Sequence, residues 1–179
     1  MCKGMYENFG KMDLDGINAK AEKLMKAGNE DGVRSLAAEN GLSEFADMYI
    51  KGETDYLCED VMDAAMARLA LEADDLGAEE LMGDWVDYLN SLVMENEEFA
   101  EKIMNPEKSL KGCIGKLAVW SITHAEPLDK EIIKAMKEAV TDAQLKKLNM
   151  QRSHLDYTKI GMPGMGTAKK LIREYYGEG

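Results

Sequence analysis

From Thr54, a suitable helix N-cap, the apolar residues Leu57, Val61, Met62, Ala65, Met66, Leu69, Ala73 and Leu76 recur every three or four positions and stop at Gly77. That spacing puts them on one stripe of a helix, and no stretch of the chain shows the two-residue alternation of a half-buried strand. The same pattern returns elsewhere. Asp13 to Ala27 carries Leu14, Ile17, Ala21, Leu24 and Met25 and ends at Gly28, and Glu30 to Asn40 carries Val33, Leu36 and Ala37. Ser43 can cap a short helix with Phe45, Met48, Tyr49 and Ile50, and a further stripe holds Leu81, Trp85, Leu89, Leu92 and Val93. Ser109 opens a segment with Leu110, Cys113, Ile114, Leu117 and Trp120, broken at Glu126-Pro127 because the residue before proline is pushed out of helical geometry. Helices starting near Asp129, Thr141 and Thr167 complete the chain. The class read from this pattern is all-α, a compact multi-helix bundle of about eight to ten helices. Asn105-Pro106 is its best seam, dividing two helical subdomains, an acidic half at 1–104 and a basic half at 105–179.

Charge divides the chain in the same place. The net charge is −12, from 34 acidic and 22 basic residues, over 179 positions of which 45% are apolar. Residues 1–101 hold 25 acids and 8 bases, whereas residues 102–179 hold 9 acids and 14 bases. Between Glu39 and Glu101, 19 carboxylates face only Lys51 and Arg68. Such a balance disfavours direct nucleic-acid binding, which rests on Lys and Arg releasing counterions from phosphates. It favours a basic partner. Carboxylates three or four apart on a helix stand roughly 5 to 6 Å apart at Cβ, so they can line up a row of charge comparable with nucleic-acid phosphates. Glu59, Asp60, Asp63, Glu72, Asp75, Glu79, Glu80, Asp84 and Asp87 are the residues expected to form this partner-binding surface. Lys146, Lys147, Arg152, Lys159, Lys169, Lys170 and Arg173, with Tyr157, Tyr175 and Tyr176 nearby, form a modest basic stretch suited to weak nucleic-acid contact.

Signatures of catalysis and of metal binding are missing. His124 and His154 are the two histidines, and a general base would need a partner carboxylate that the sequence alone does not place. Asp13-Leu14-Asp15-Gly16 with Glu22 has the residue types of a calcium loop, but its glycine and glutamate fall at the wrong positions. Gly161-Met162-Pro163-Gly164-Met165-Gly166 lacks the Gly-Lys-Ser/Thr ending of a phosphate loop and reads as a hinge or tight turn. Cys2, Cys58 and Cys113 are too widely spaced for a zinc ribbon or redox pair, so reduced and mostly buried thiols are expected. The 14 methionines and the two tryptophans, Trp85 and Trp120, fall at helical spacing and read as core. Met1 to Glu7 lacks an apolar signal core and no membrane-spanning run occurs, which leads to the expectation of a cytoplasmic protein without cofactor, able to form a homo-oligomer.

Two segments bring a family into view. Asn105-Pro106-Glu107-Lys108-Ser109-Leu110-Lys111-Gly112-Cys113-Ile114 resembles the Asn-Pro-x-Lys-Ser/Thr-apolar-x-x-Cys-apolar core of PcfK-like proteins, which are carried by conjugative elements of gut bacteria. The ending, Gly161 to Met165 and then Ala168-Lys169-Lys170-Leu171-Ile172-Arg173-Glu174-Tyr175-Tyr176, is similar to a pattern of longer members in Firmicutes, and such sequences are related to anti-CRISPR inhibitors of the type II RNA-guided DNA nuclease. The resemblance implies a PcfK-like basic half and a binding protein, not an enzyme, encoded by a phage, plasmid or integrated element. Its implied partner is a type II CRISPR effector nuclease loaded with guide RNA. The charge points the same way, because RNA-guided nucleases hold nucleic acid in positively charged channels for which an acidic protein can compete, and the inhibition implied is a block of target-DNA engagement or of the conformational step before cleavage. The other function open at this level is a non-enzymatic accessory of a conjugative element, binding relaxosome or replication proteins.

Overall fold

The computed structural model describes residues 10–177. Met1 to Glu7 and Cys2 therefore lie outside the described residues. The chain is all-α. Its helices are α1 (Leu14–Lys26), α2 (Glu30–Glu39), α3 (Ser43–Ile50), α4 (Val61–Leu76), α5 (Leu81–Glu95), α6 (Glu97–Met104), α7 (Leu110–Thr123), α8 (Lys130–Ala139), α9 (Asp142–Lys147) and α10 (Met165–Tyr176). A three-ten helix spans Arg152–Tyr157, and two residues of β1 (Glu126–Pro127) pair antiparallel with β2 (Lys159–Ile160). That pairing departs from the strand-free expectation. It uses the extended backbone that Pro127 imposes on Glu126.

Helix starts follow local chemistry. Asp13, Asp60, Ser109 and Asp129 each accept a backbone N–H one turn into the helix they open, and Thr141 forms a reciprocal capping box with Gln144. Thr54 does not cap α4, which begins only at Val61. The reason is long-range. The Asn18 side chain donates to the Cys58 carbonyl at 2.8 Å and accepts from the Cys58 N–H at 3.1 Å, satisfying outside a helix the groups that a longer α4 would have used. Leu57 and Cys58 are buried in that irregular segment.

One buried cluster unites α1 to α7 with α10, centred on Leu69, Leu89, Phe99, Leu110, Leu117 and Ile172. The core is continuous across Asn105-Pro106, and its strongest link there is polar. Arg68, 4% exposed, donates to Glu72 at 3.0 Å, to the Asn105 carbonyl at 3.2 Å and to the Lys108 carbonyl. The other oxygen of Glu72 accepts the N–H of Leu110, the first residue of α7. The C-terminal helix meets the start of α7 at the same place: Lys108 donates to the Tyr175 carbonyl at 2.9 Å, and the Ser109 N–H donates to the Tyr175 hydroxyl at 3.1 Å.

Residues 128–158 form a smaller lobe, in which Leu145 and Leu155 are buried apart from the main cluster. Gly161 seats this lobe on α7. A Cβ there would collide with the Ser121 carbonyl and the Ala125 backbone, so the glycine-rich loop is a close-packed turn. Trp85 is a core anchor, as the spacing predicts. Trp120 is not: it is half-buried and stacks on His124 with ring centroids 4.2 Å apart. Met104 is buried and Met12, Met25, Met62, Met66 and Met82 pack against the core, while Met48, Met94, Met162 and Met165 are exposed. Among the described residues, no helix is long and apolar enough to cross a membrane.

Candidate functional site: an acidic groove

The N-terminal ends of α1 and α4 converge on one side of α6. Between them lies a groove of about 850 Å³ lined by the carboxylates of Asp13, Asp15, Glu59, Asp60, Glu97 and Glu101. Leu14, Val61, Met62, Met104 and Pro106 give it an apolar component, and among the described residues no lysine or arginine lines it. Asp13 and Asp60 are held in place by their capping bonds, to Gly16 N–H at 2.8 Å and Met62 N–H at 2.7 Å. Asn96 accepts from Phe99 N–H at the start of α6 and so fixes the helix that presents Glu97 and Glu101. The result is a preorganised concentration of negative charge beside apolar surface, a combination suited to the guanidinium and ammonium groups of a basic partner.

The carboxylates named from sequence do not form one row. Glu59 and Asp60 belong to the groove, but Asp63, one turn into α4, is half-buried and does not line it. Glu79, Glu80, Asp84 and Asp87 are exposed at the far end of α4 and along α5, across the 16 residues of α4. At 1.5 Å per residue that is a separation of about 24 Å. Asp75 lines a different, smaller cleft of about 340 Å³ with Lys11, Lys108 and Lys111 among its walls. Glu72 is a correction. It is 9% exposed and bound to Arg68 and Leu110, so it holds the core and cannot meet a partner. The sequence reading missed Asp13, Asp15, Glu97 and Glu101; the first three are acidic residues at helix starts and Glu101 lies one turn after Glu97, but no one-dimensional spacing joins α1 to α6.

The basic residues are similarly divided. Lys146 and Lys147 stand exposed on α9 in the small lobe, and Lys159 is exposed on β2. Arg152 is occupied in that lobe, bonding the carbonyls of Lys137 and Val140 and pairing with Asp142 at 2.8 Å. On α10, Lys169 lies 4.6 Å from the centroid of the Tyr88 ring, Arg173 donates to the Tyr88 hydroxyl at 2.7 Å, and Lys170 lies 3.9 Å from Glu174. Tyr176 is buried edge-on against Phe99, Tyr175 is tied to Lys108 and Ser109, and Tyr157 is exposed. A single basic strip with stacked aromatics is therefore not assembled among these residues.

Nothing in the described residues makes a metal centre, since no cluster of three or more His, Cys, Asp or Glu side chains has the required geometry. Cys113 and His124 stand at opposite ends of α7, too far apart to share an ion. Cys58 and Cys113 are buried free thiols. Burial pushes the Cys58 thiol up to about 11, with Asp63 and Asp60 adding to the rise, and pushes Cys113 up to about 12. Both therefore stay protonated at neutral pH. Comparison with protein-family models, with curated proteins and with solved structures finds no match to this chain.

Proposed function

We propose that this chain is a non-catalytic inhibitor that binds an RNA-loaded type II CRISPR nuclease and blocks its engagement of target DNA. The observation that carries the reading is the groove: six carboxylates brought together from the starts of α1 and α4 and from one side of α6, with apolar surface between them. A DNA-binding channel offers the complementary chemistry, closely spaced arginines and lysines, including arginines that read a short duplex motif through bidentate bonds. Carboxylates at Asp15, Glu97 and Glu101 can accept such bonds in place of base edges or phosphates. The excess negative charge of the N-terminal part steers the encounter and makes it sensitive to ionic strength. The choice of this nuclease rests on the resemblance of the Asn105–Ile114 and Gly161–Tyr176 segments.

The test is plasmid cleavage by purified type II nucleases from several sources, with the protein added before or after target DNA, at low and high salt. Inhibition is expected only when the protein precedes DNA, and it weakens with salt. The triple variant Asp15→Lys, Glu97→Lys, Glu101→Lys, which spares the capping Asp13 and Asp60, is expected to lose inhibition at unchanged helical content. Full inhibition by that folded variant refutes the groove, and inhibition after DNA has bound points to a conformational block. A lack of inhibition across all the nucleases, together with capture of relaxosome or replication proteins encoded beside it, transfers the reading to a conjugation accessory.

A further inference from the structure

Among the described helices α8 alone buries no residue, although its sequence separates charged from apolar side chains completely. Lys130, Glu131, Lys134, Lys137 and Glu138 fall on one side of the helix, and Ile132, Ile133, Ala135, Met136 and Ala139 fall on the other. The core of the small lobe, Leu145 and Leu155, covers that apolar side only in part. Ile133, Met136 and Val140 are half-buried, whereas Ala135 and Ala139 are exposed and Ile132 is 49% exposed. What stays open is a cleft of about 440 Å³ between the end of α8 and α9, walled by Met136, Ala139, Val140, Leu148 and Leu155. Its polar wall residues are Gln144 and Lys147, and no carboxylate of the described residues lines it.

The charge around the cleft has one sign. Lys137 is paired with Asp156 at 2.6 Å and Arg152 with Asp142 at 2.8 Å, so those two cations are neutralised within the lobe. Lys146 and Lys147 stand exposed on α9, and no carboxylate of the described residues pairs with either. Apolar walls beside two unneutralised lysines are complementary to an apolar group flanked by carboxylates. The walls also select the form of the occupant. They are mostly helical, with backbone groups already bonded, so an extended strand gains no main-chain pairing there. Ala139, Gln144, Lys147 and Leu148 are exposed, which leaves the cleft too shallow to bury most of a small molecule. A helix fits such a trough, and the apolar strip from Ile132 to Ala139 offers it about two turns of contact. We infer that this cleft docks an acidic amphipathic helix of another protein, with its apolar side chains between α8 and α9 and its carboxylates over Lys146 and Lys147. The surface shares no residue with the acidic groove and stands independently of the inhibitor reading.

The probe is a synthetic amphipathic helix of about 16 residues made of Leu, Ala and Glu, followed by fluorescence anisotropy against the full chain, beside the same peptide with Lys in place of Glu. Saturable binding of the Glu peptide is expected below about 0.1 mM. Leu148→Glu, at a position 61% exposed, and the double variant Lys146→Glu with Lys147→Glu are each expected to weaken it roughly tenfold or more. The lysine pair keeps the test valid should Leu148→Glu loosen the lobe, which limited proteolysis reads. Lys134→Glu makes a charge change of the same sign on the opposite side of α8 and is expected to alter binding by less than about twofold. The Lys peptide is expected to ignore the cleft, so any binding it shows is unmoved by Leu148→Glu. No binding of the Glu peptide overturns the inference. So does binding that the cleft variants leave unchanged, or that Lys134→Glu weakens as much as the lysine pair does. Dodecanoate or a single-stranded oligonucleotide binding through Leu148 and Lys147, where the peptide does not, overturns it in favour of another class of ligand.

Discussion

Replacing Arg68 with methionine keeps most of the side-chain volume and removes the charge from the buried link between α4 and α7. Four hydrogen bonds are organised here: Arg68 to Glu72, Arg68 to the Asn105 and Lys108 carbonyls, and Leu110 N–H to Glu72. In Arg68→Met, Glu72 keeps Leu110 and the positive end of α7 but loses its counter-charge, and two carbonyls lose a donor. Removing one member of a buried pair costs about 3–5 kcal/mol, because the other charge stays buried without compensation. For a chain of this length each kcal/mol lowers the melting temperature by about 2–4 °C, so the variant should melt roughly 6–20 °C lower. Arg68→Met with Glu72→Met removes both charges and should recover part of that loss, leaving a cost of about 1–3 kcal/mol for the unpaired Leu110 N–H and the two carbonyls. Urea denaturation followed by far-UV circular dichroism measures all three proteins. The reasoning fails if Arg68→Met costs less than about 0.5 kcal/mol, as an exposed substitution would, or if the double variant is no more stable than the single.

The buried thiols set an alkaline limit. Each keeps its proton more tightly in the native chain than at the ordinary value of 9.0, so the contribution is complete below pH 9 and is lost as pH rises through about 11 for Cys58 and about 12 for Cys113. Stability should fall above pH 9 by up to about 1.4 kcal/mol per pH unit per thiol, and Cys58→Ala should shallow that slope; urea midpoints that stay level contradict this. Gly112→Ala should cost about 1–3 kcal/mol because the new methyl displaces the Tyr175 hydroxyl from Ser109, and Tyr175→Phe in the same background should recover part of the loss in a thermal melt. Arg152→Ala should loosen the small lobe alone, so limited proteolysis should accelerate within residues 128–158 while the main unfolding transition stays in place. Neutralising Glu101, which caps nothing, should leave stability unchanged or slightly raised, whereas Asp60→Ala should cost about 1 kcal/mol by removing the α4 cap, as a parallel denaturant titration would show.

What the sequence made legible was local. Asp13, Ser109, Asp129 and Thr141 could be placed at helix starts because a cap and its acceptor lie within one turn. Thr54 misled for the complementary reason, since the residue that satisfies Cys58 is Asn18, forty positions away. Glu72 carried a signal that went unused: it falls three residues after Leu69 and four before Leu76, on the apolar stripe of α4, with Arg68 one turn behind it. A carboxylate in that position needs a buried partner, and Arg68 is the only arginine between Glu39 and Glu101. The groove was illegible in a stronger sense. Asp13 and Glu101 come together only through the packing of α4 against α6 and the tether of Asn18 to the segment before α4.

The groove's charge also has a reason inside the fold. Asp13 and Asp60 are caps, and Asp15 and Glu97 stand in first turns, so four of the six carboxylates sit where a helix presents its unpaired N–H groups. An anion in such a place is stabilised by about 0.3–1 kcal/mol, which offsets repulsion among carboxylates drawn together by three converging helices. Acidity at those four positions is therefore also favoured by helix formation. Glu59 and Glu101 are different. They cap nothing, they add charge to an already crowded groove, and no described lysine or arginine in its lining relieves them. On the proposed inhibitor function, a basic group of the partner pairs with Glu101 beside Asp15 and Glu97, and Glu101 is the position of the three at which helix formation gives no competing reason for the charge.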